Sequence, residues 1–382
     1  MSTLSMGSTM SQAGIKDVAR VAGVSYKTVS RVVTGEGAVR GETRRRVEEA
    51  ITALGYRPNH SAQSLRRGRT HALRLILSLR PGTFTGLRFQ DEVIAGASDR
   101  ASRSGYGLLL ELVEGDPPEE RQRWLADRRA DGTILLDGRS ESPLVALLRR
   151  TGAPCVILVN PAAEPTFGSV DADFAGGAEA MVRHLLDLGH RRIAHLADDF
   201  DLHSSRQRRD GYLAALQAAG ITPESDLIVP TGSQQEDGFA ATAILFSRRP
   251  DVTALFCVND LTAFGAIEWL TQHGHRVPED ISVTGYDDIA VARYFSPPLT
   301  TVHLPWYEMG IAAADLLIGA LDGHRGLDPP QCFGVDLCPR GSTGSAPLTT
   351  SAASTEHRAN GQGIAPRDVR TTKGGAAPDA EP

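Results

Sequence analysis

The stretch 15-IKDVARVAGVSYKTVSRVV-33 carries two short apolar periods separated by Gly23, Val24 and Ser25. Val18, Val24, Val29 and Val32 fall on one shared face. Ala19 is small enough to let two helices approach, and Gly23 can take the positive φ that a three-residue turn demands. The spacing predicts helices over 15–22 and 26–33, with a third over about 42–54 that Gly55 stops. Ser25 stands where a cap of the second helix belongs. Helices this short are not stable alone, so they must lean on one another and show their polar faces outward. In a helix-turn-helix the N-terminal half of the second helix meets base edges in the major groove, and here that half presents Tyr26, Lys27, Ser30 and Arg31.

Charge supports a polyanion as the partner of this head. Residues 1–70 hold twelve Lys/Arg against five Asp/Glu, a net +7, while residues 71–382 hold 28 against 41, a net −13. A basic head on an acidic body confines the polyanion contact to the head. The chain of 382 residues has room for two or three domains. It shows no apolar run of about 18 residues and no N-terminal signal pattern, so a cytoplasmic location without membrane contact is expected. Cys155, Cys257, Cys332 and Cys338 form no CxxC pair and read as free, mostly buried thiols. His184, His190 and His195 straddle a helix end, a turn and a strand, which is not the one-face spacing of a metal site.

Beyond residue 72, runs such as 73-LRLILSL-79, 107-GLLLELV-113, 132-GTILL-136 and 154-PCVILV-159 alternate with helical stretches such as 90-QDEVIAGASDRASRSG-105. A second series follows with 192-RIAHLA-197, 253-TALFCV-258 and 281-ISVTGY-286. Such alternation predicts two parallel sheets covered by helices, with a ligand cleft at the carboxyl ends of their strands. No GxSxG, P-loop or strand-linked GxGxxG is present, so an enzyme is not expected and neither a catalytic residue nor a cofactor is assigned. A transport-type binding protein would explain the body alone but not the basic head.

IKDVARVAGVSYKTVSRVV, ETRRRVEEAITALGYRPN and AQSLRRGRT together resemble the headpiece and hinge of the lactose-repressor (LacI) family of transcriptional regulators. In the body, RRDGYLAAL, VNDLTAFGAI, DISVTGYDDIAVARYFSPPLTTV and PRGST are similar to further signatures of that family. The resemblance implies a multidomain fold: an all-α helix-turn-helix headpiece and an α/β body of two parallel-sheet lobes, like a periplasmic sugar-binding protein. It implies a regulator of the repressor type that binds a palindromic double-stranded DNA operator as a homodimer and responds to a small molecule, a sugar or alternatively a nucleobase. The implied operator contacts are Ser25, Tyr26, Lys27, Thr28, Ser30, Arg31, Thr34 and Thr43 in the head. In the hinge they are Asn59, Ala62 and Leu65, the leucine as a minor-groove wedge beside Arg66, Arg67 and Arg69. The implied effector contacts are Phe89, Asn160, Arg208 and Asp260, although Asp260 could instead cap the helix that follows it. Asp287 and Asp288 read as turn residues. Arg40 departs from the family, which often places a capping serine there.

The expected domains are an unstructured N-terminus 1–13, the head 14–58, the hinge 59–71, the body 72–343 and an unstructured tail 344–382, rich in Ser, Thr, Gly, Pro and Ala. Within the body, lobe one is expected at about 72–169 and 298–328, and lobe two at about 170–297 and 329–343. The tail has no leucine heptad, so nothing in it predicts a coiled coil.

Overall fold

The computed structural model describes residues 13–34, 37–56, 69–79, 89–115, 117–127, 129–139, 142–161, 166–324, 326–327 and 329–347. The N-terminal segment, most of the hinge with Asn59, Ala62 and Leu65, and the tail from 348 onward lie outside these residues.

In the head, α1 (Ile15–Ala22), α2 (Tyr26–Thr34) and α3 (Gly41–Leu54) pack through Val18, Val29 and Val47, which are fully buried. Val32, Ala19, Ala22 and Ala50 complete the core, and Val24 packs against it half-buried. Each fully buried valine contributes roughly 1.5–3 kcal/mol. Gly23 ends α1 at φ 64°, and its N–H and that of Val24 return to carbonyls of α1. The backbone N–H of Thr28 donates to Ser25 Oγ at 3.1 Å, so Ser25 caps α2 as its position predicts. Arg40 precedes α3 without any side-chain cap.

The first sheet of the body contains β1 (Ala72–Leu79), β2 (Gly107–Glu114), β3 (Gly132–Leu136), β4 (Cys155–Leu158), β5 (Phe167–Ala172) and β11 (Gln331–Phe333). Among the described residues its order is β11-β5-β4-β3-β1-β2, and every pair is parallel. Because parallel strands are covered on both faces, β1 is buried on both, one face aliphatic and the other carrying Arg74 and Ser78 beside Ile76. Leu73, Leu75 and Leu77 face α4 (Gln90–Arg103) and α11 (Trp306–Leu321), while Ile76 faces α5 (Glu119–Leu125) and α6 (Pro143–Thr151). The second sheet, order β7-β6-β8-β9, uses β6 (Ile193–Ala197), β7 (Ile228–Pro230), β8 (Ala254–Cys257) and β9 (Ser282–Thr284), again all parallel. It is covered by α7 (Phe174–Asp187), α8 (His203–Ala218), α9 (Gln235–Arg248) and α10 (Asp260–Gln272).

The lobe boundaries differ from those expected. Residues 170–172 belong to β5 and hence to lobe one, and the chain leaves that lobe at Asp173. Residues 331–333 form β11, which pairs with β5 and also belongs to lobe one rather than lobe two. The return passes through β10 (Thr301–His303), which pairs antiparallel with β12 (Asp336–Cys338). β5 and β11 lack an aliphatic run for different reasons: Ser169 and Asp171 of β5 are buried by their sheet neighbours, whereas β11 is a three-residue edge strand with Gln331 half-buried and Cys332 exposed. Of the four free cysteines, Cys155 and Cys257 are buried and Cys332 is exposed, so burial holds for fewer than expected.

Lobe one depends on a close helix approach. A Cβ on Gly96 of α4 would lie 2.0 Å from the carbonyl oxygen of Tyr307, and one on Gly310 of α11 would lie 2.4 Å from that of Val93. Only glycine permits that separation. Gly96→Val is therefore expected to lower stability by about 1–3 kcal/mol in urea denaturation, and Gly310→Val similarly, with the double variant less than additive because both relieve one contact.

Candidate DNA-reading head and ligand cleft

At the cap and on α2, Ser25, Tyr26, Lys27 and Arg31 are exposed, and Thr28, Ser30 and Thr34 are half-buried. Tyr26 keeps 43% of its surface exposed although it is a large ring. Thr43 lies in the first turn of α3, half-buried. The helix-turn-helix thus gathers the predicted head residues on and beside α2. At the root of the hinge, Arg69 Nη1 lies 2.9 Å from Asp322 Oδ1, so this guanidinium is engaged within the protein rather than left for a phosphate.

The cleft follows from the sheets. Strands of each lobe run the same way, so the loops leaving their carboxyl ends converge. Ser78 comes from the end of β1, Gly115 from β2, Asp137 and Arg139 from β3, and Val159 from β4. Lobe two supplies Asp198, Asp199 and Asp201 after β6, Ser233 after β7, Asn259 after β8 and Asp287 after β9. The cavity has a volume of about 260 Å³.

Its apolar wall is aromatic. Phe89 and Trp306 stack with centroids 4.1 Å apart, and Phe174 lies 6.2 Å from Trp306. Arg208 reaches in from α8, its guanidinium 4.3 Å from the Tyr286 ring centre and 5.1 Å from that of Phe174. Its Nη2 lies 3.5 Å from Asp287 Oδ1, a long contact between two nearly buried groups. Arg208 Nε, Ser205 Oγ, Trp306 Nε1 and Gln90 Oε1 are buried without a hydrogen-bond partner among the described residues. Unmet polar groups cost about 1–3 kcal/mol each, so a site gathering four of them fits a polar ligand.

Two predicted cleft residues stand elsewhere. Asn160 is outside the cavity lining, and its Nδ2 donates to the Arg139 carbonyl at 2.6 Å, bracing the β3 loop. Asp260 is 1% exposed and turned away from the cavity. It accepts from Thr301 Oγ1 at 2.5 Å and from the Ile289 N–H at 2.8 Å. Nor does Asp260 cap the helix: Asn259 does, accepting from the Thr262 N–H at 2.8 Å while donating to the Ser233 carbonyl at 3.0 Å. Sequence reading chose the wrong member of the Asn-Asp pair. Burial, reinforced by the nearby Asp287 carboxylate, pushes the Asp260 pKa well above the ordinary range. Asp287 and Asp288 stand at positive φ, 103° and 51°, but not in the expected turn: Asp287 forms a parallel bridge with His303 and lines the cavity. The sequence cue for it is the Asp-Asp pair that follows Gly285 and Tyr286 just past β9. Among the described residues no cluster of His, Cys, Asp and Glu could hold a metal, and no helix is long and apolar enough to cross a membrane.

A three-helix reading head joined to a two-lobed body with a polar, aromatic-walled cleft defines a ligand-responsive transcriptional regulator. Residues 14–59 match the family model for bacterial regulatory proteins of the lacI family, and residues 182–343 match the periplasmic binding protein-like domain. The chain is 36% identical over 310 residues to the HTH-type transcriptional regulator CelR of Thermobifida fusca, covering 80% of this chain and 91% of that protein. It is 35% identical over 312 residues to the HTH-type transcriptional repressor PurR of Mannheimia succiniciproducens, covering 80% of this chain and 91% of the relative. A structure of the lac repressor dimer bound to operator and the anti-inducer ONPF superimposes with a TM-score of 0.79 at 29% identity, over 87% of this chain and 100% of that one. The CelR–cellobiose complex does so with a TM-score of 0.68 at 33% identity, over 86% of this chain and 99% of that one. The chain belongs to the lacI family of transcriptional regulators.

The placement of Asp260 yields a test. A folded-state pKa raised above the unfolded value means that the folded protein holds the proton more tightly, so the group destabilises the fold increasingly as pH rises from the unfolded pKa to the folded one. Asp260→Asn, which keeps the shape and stays neutral, is expected to match or exceed the parent in stability at pH 7, with its advantage growing over that window. Asp260→Ala strips partners from Thr301 and Ile289 and should cost about 2–4 kcal/mol in chemical denaturation.

Proposed function

We propose that this protein is a repressor that binds a near-palindromic operator as a homodimer and releases or tightens its grip when a neutral sugar enters the cleft. Ser25, Tyr26, Lys27, Thr28, Ser30, Arg31, Thr34 and Thr43 read or position the operator from the head. Asn59, Ala62 and Leu65 do so from the hinge. Phe89, Arg208, Asn259, Asp287 and Trp306 hold the effector.

The chemistry of the cavity carries the sugar reading. Five carboxylates, those of Asp137, Asp198, Asp199, Asp201 and Asp287, line it against two guanidiniums, Arg139 and Arg208. Carboxylates accept hydrogen bonds and repel anions, so the fitting ligand is uncharged and rich in O–H donors. Phe89 and Trp306 offer an apolar wall for the C–H face of a pyranose. The same aromatic wall favours a planar nucleobase as the second reading, but a base has few donors for so many acceptors. The cellobiose complex of CelR supports a sugar.

Exposed apolar groups support the dimer. Tyr294 is 82% exposed beside Val291 in lobe two, and Leu110 and Leu112 are exposed on β2, the edge strand of lobe one. An open apolar strand edge is a template for pairing unless covered. One head discriminates only a few base pairs at about 1–3 kcal/mol each, so two are needed for useful selectivity.

Thermal-shift measurements with cellobiose, other neutral sugars and adenine or guanine test the effector. A sugar at a hundred times its Kd should stabilise the protein by about 2.7 kcal/mol, and the bases should not. Arg208→Lys should weaken that sugar at least about tenfold while the unliganded protein keeps its operator affinity within a few fold, because a lysine cannot replace the planar stacked fork. Stabilisation by a base alone would overturn the sugar reading. Tyr294→Asp should sediment as a monomer at micromolar concentration and lose tight operator binding in a gel shift, whereas a monomeric parent that binds tightly would refute the dimer.

A further inference from the structure

We propose that residues 201–203 form a strap closing one wall of the cleft, and that His203 and Asp171 are positioning residues that hold it shut and set how long an effector stays bound. The inference rests on the cleft being the effector site.

The two sides of this contact belong to different lobes. On lobe one, the loop after β3 is braced from within: Asp137 accepts from the Arg139 N–H at 3.0 Å and from Ser142 Oγ, and Asn160 Nδ2 donates to the Arg139 carbonyl. Gly138 and Arg139 present a backbone edge to the segment that follows β6 in lobe two. There the His203 N–H donates to the Gly138 carbonyl at 2.6 Å, and Arg139 and Leu202 form an antiparallel bridge. Leu202 also sits close over Gly138, where a Cβ would meet its Cδ2 at 3.6 Å.

The side-chain pair fastens the backbone contact. His203 Nε2 lies 3.1 Å from Asp171 Oδ2, with the two side chains 15% and 13% exposed. Asp171 stands on β5 of lobe one, whereas His203 opens α8 of lobe two. Asp171 Oδ1 is buried without a partner, so the imidazole is the described group that compensates this carboxylate. Leu202, Asp201 and Gly138 themselves line the cavity. Opening the lobes must therefore break the His203–Asp171 pair and the strap's backbone bonds together, and a bound molecule cannot leave past this wall while they persist. Partial burial strengthens this hydrogen bond relative to the same contact in water.

Amide hydrogen exchange on the full-length protein tests this without any ligand, because the His203 N–H is itself one of the strap's bonds. His203→Ala and Asp171→Asn should each speed exchange of the residue 203 amide about tenfold, with β6 and the centre of α8 unchanged. The double variant should be no faster than the singles, since both remove one interaction. With cellobiose as probe and Trp306 fluorescence as readout, dissociation should be about tenfold faster in either variant while association stays within about twofold. Unchanged exchange at residue 203 in both variants would overturn the strap, and so would acceleration spread through β6, which would mark a folding role. Failure of cellobiose to bind the parent would count against the sugar reading alone, because the exchange result decides the strap independently.

Discussion

Parallel strand pairing is the constraint on which the rest of this body depends. A parallel strand must return by a crossover, so each lobe needs helices on both faces of its sheet, and the loops at one end of every strand are left free of that packing duty. Those loops hold the residues of the cleft. Ser78, Asp137, Asp198, Asn259 and Asp287 come from distant parts of the chain, yet each is delivered to one cavity by the end of a strand. The buried cores beneath, Leu73 to Leu77 in one lobe and Leu255 with Val283 in the other, fix those strand ends firmly enough for polar groups to be held in a partly dry cavity.

That cavity carries polar groups at a cost met by packing elsewhere. Arg208 lies between two rings with its Nε unmet, Asp260 is sealed beneath the segment that carries Asp287, and Asp288 is engaged by Arg340 at 2.5 Å and by His303 at 3.3 Å. The carboxylates divide the labour. Asp260 and Asp288 tie α10, β10 and the C-terminal segment to the residues after β9, which leaves Asp287 aimed at Arg208 and the cavity. Two successive aspartates at positive φ would be strained alone, and they persist because partners on several elements over-determine them.

What could be read from the sequence follows the strength of each local signal. The head was legible almost to the residue, because Val18, Val29 and Val32 repeat at helical spacing and Gly23 and Ser25 punctuate them. The aliphatic strands were equally plain. β5 was not, since Ser169 and Asp171 are buried by their neighbours rather than by their own apolarity, and β11 was not, being a three-residue strand at the sheet edge. Phe89 and Arg208 reach the cleft as expected. Asn160 and Asp260 do not, because adjacent residues at a strand end point in opposite directions, and a motif match cannot say which side chain faces the ligand.

The same geometry limits how an effector can act on the head. A ligand shifts an equilibrium only by its difference in affinity between two arrangements. Phe89 and Trp306 belong to lobe one, and contacts confined to that lobe would favour open and closed forms equally. On the proposed effector reading, the discriminating contacts are those of lobe two, from Arg208 and Asp287, which line the cavity opposite the aromatic wall. Lobe one in turn meets the hinge. α11 begins at Trp306 in the cavity and spans about 24 Å at 1.5 Å per residue, and just beyond it Asp322 grips Arg69 at the hinge root. A helix this well packed moves as a body with its sheet, so rotation of lobe one against lobe two carries the hinge root with it. On that reading the coupling between cleft and head would reside in the work of closing the lobes rather than in any change inside either one.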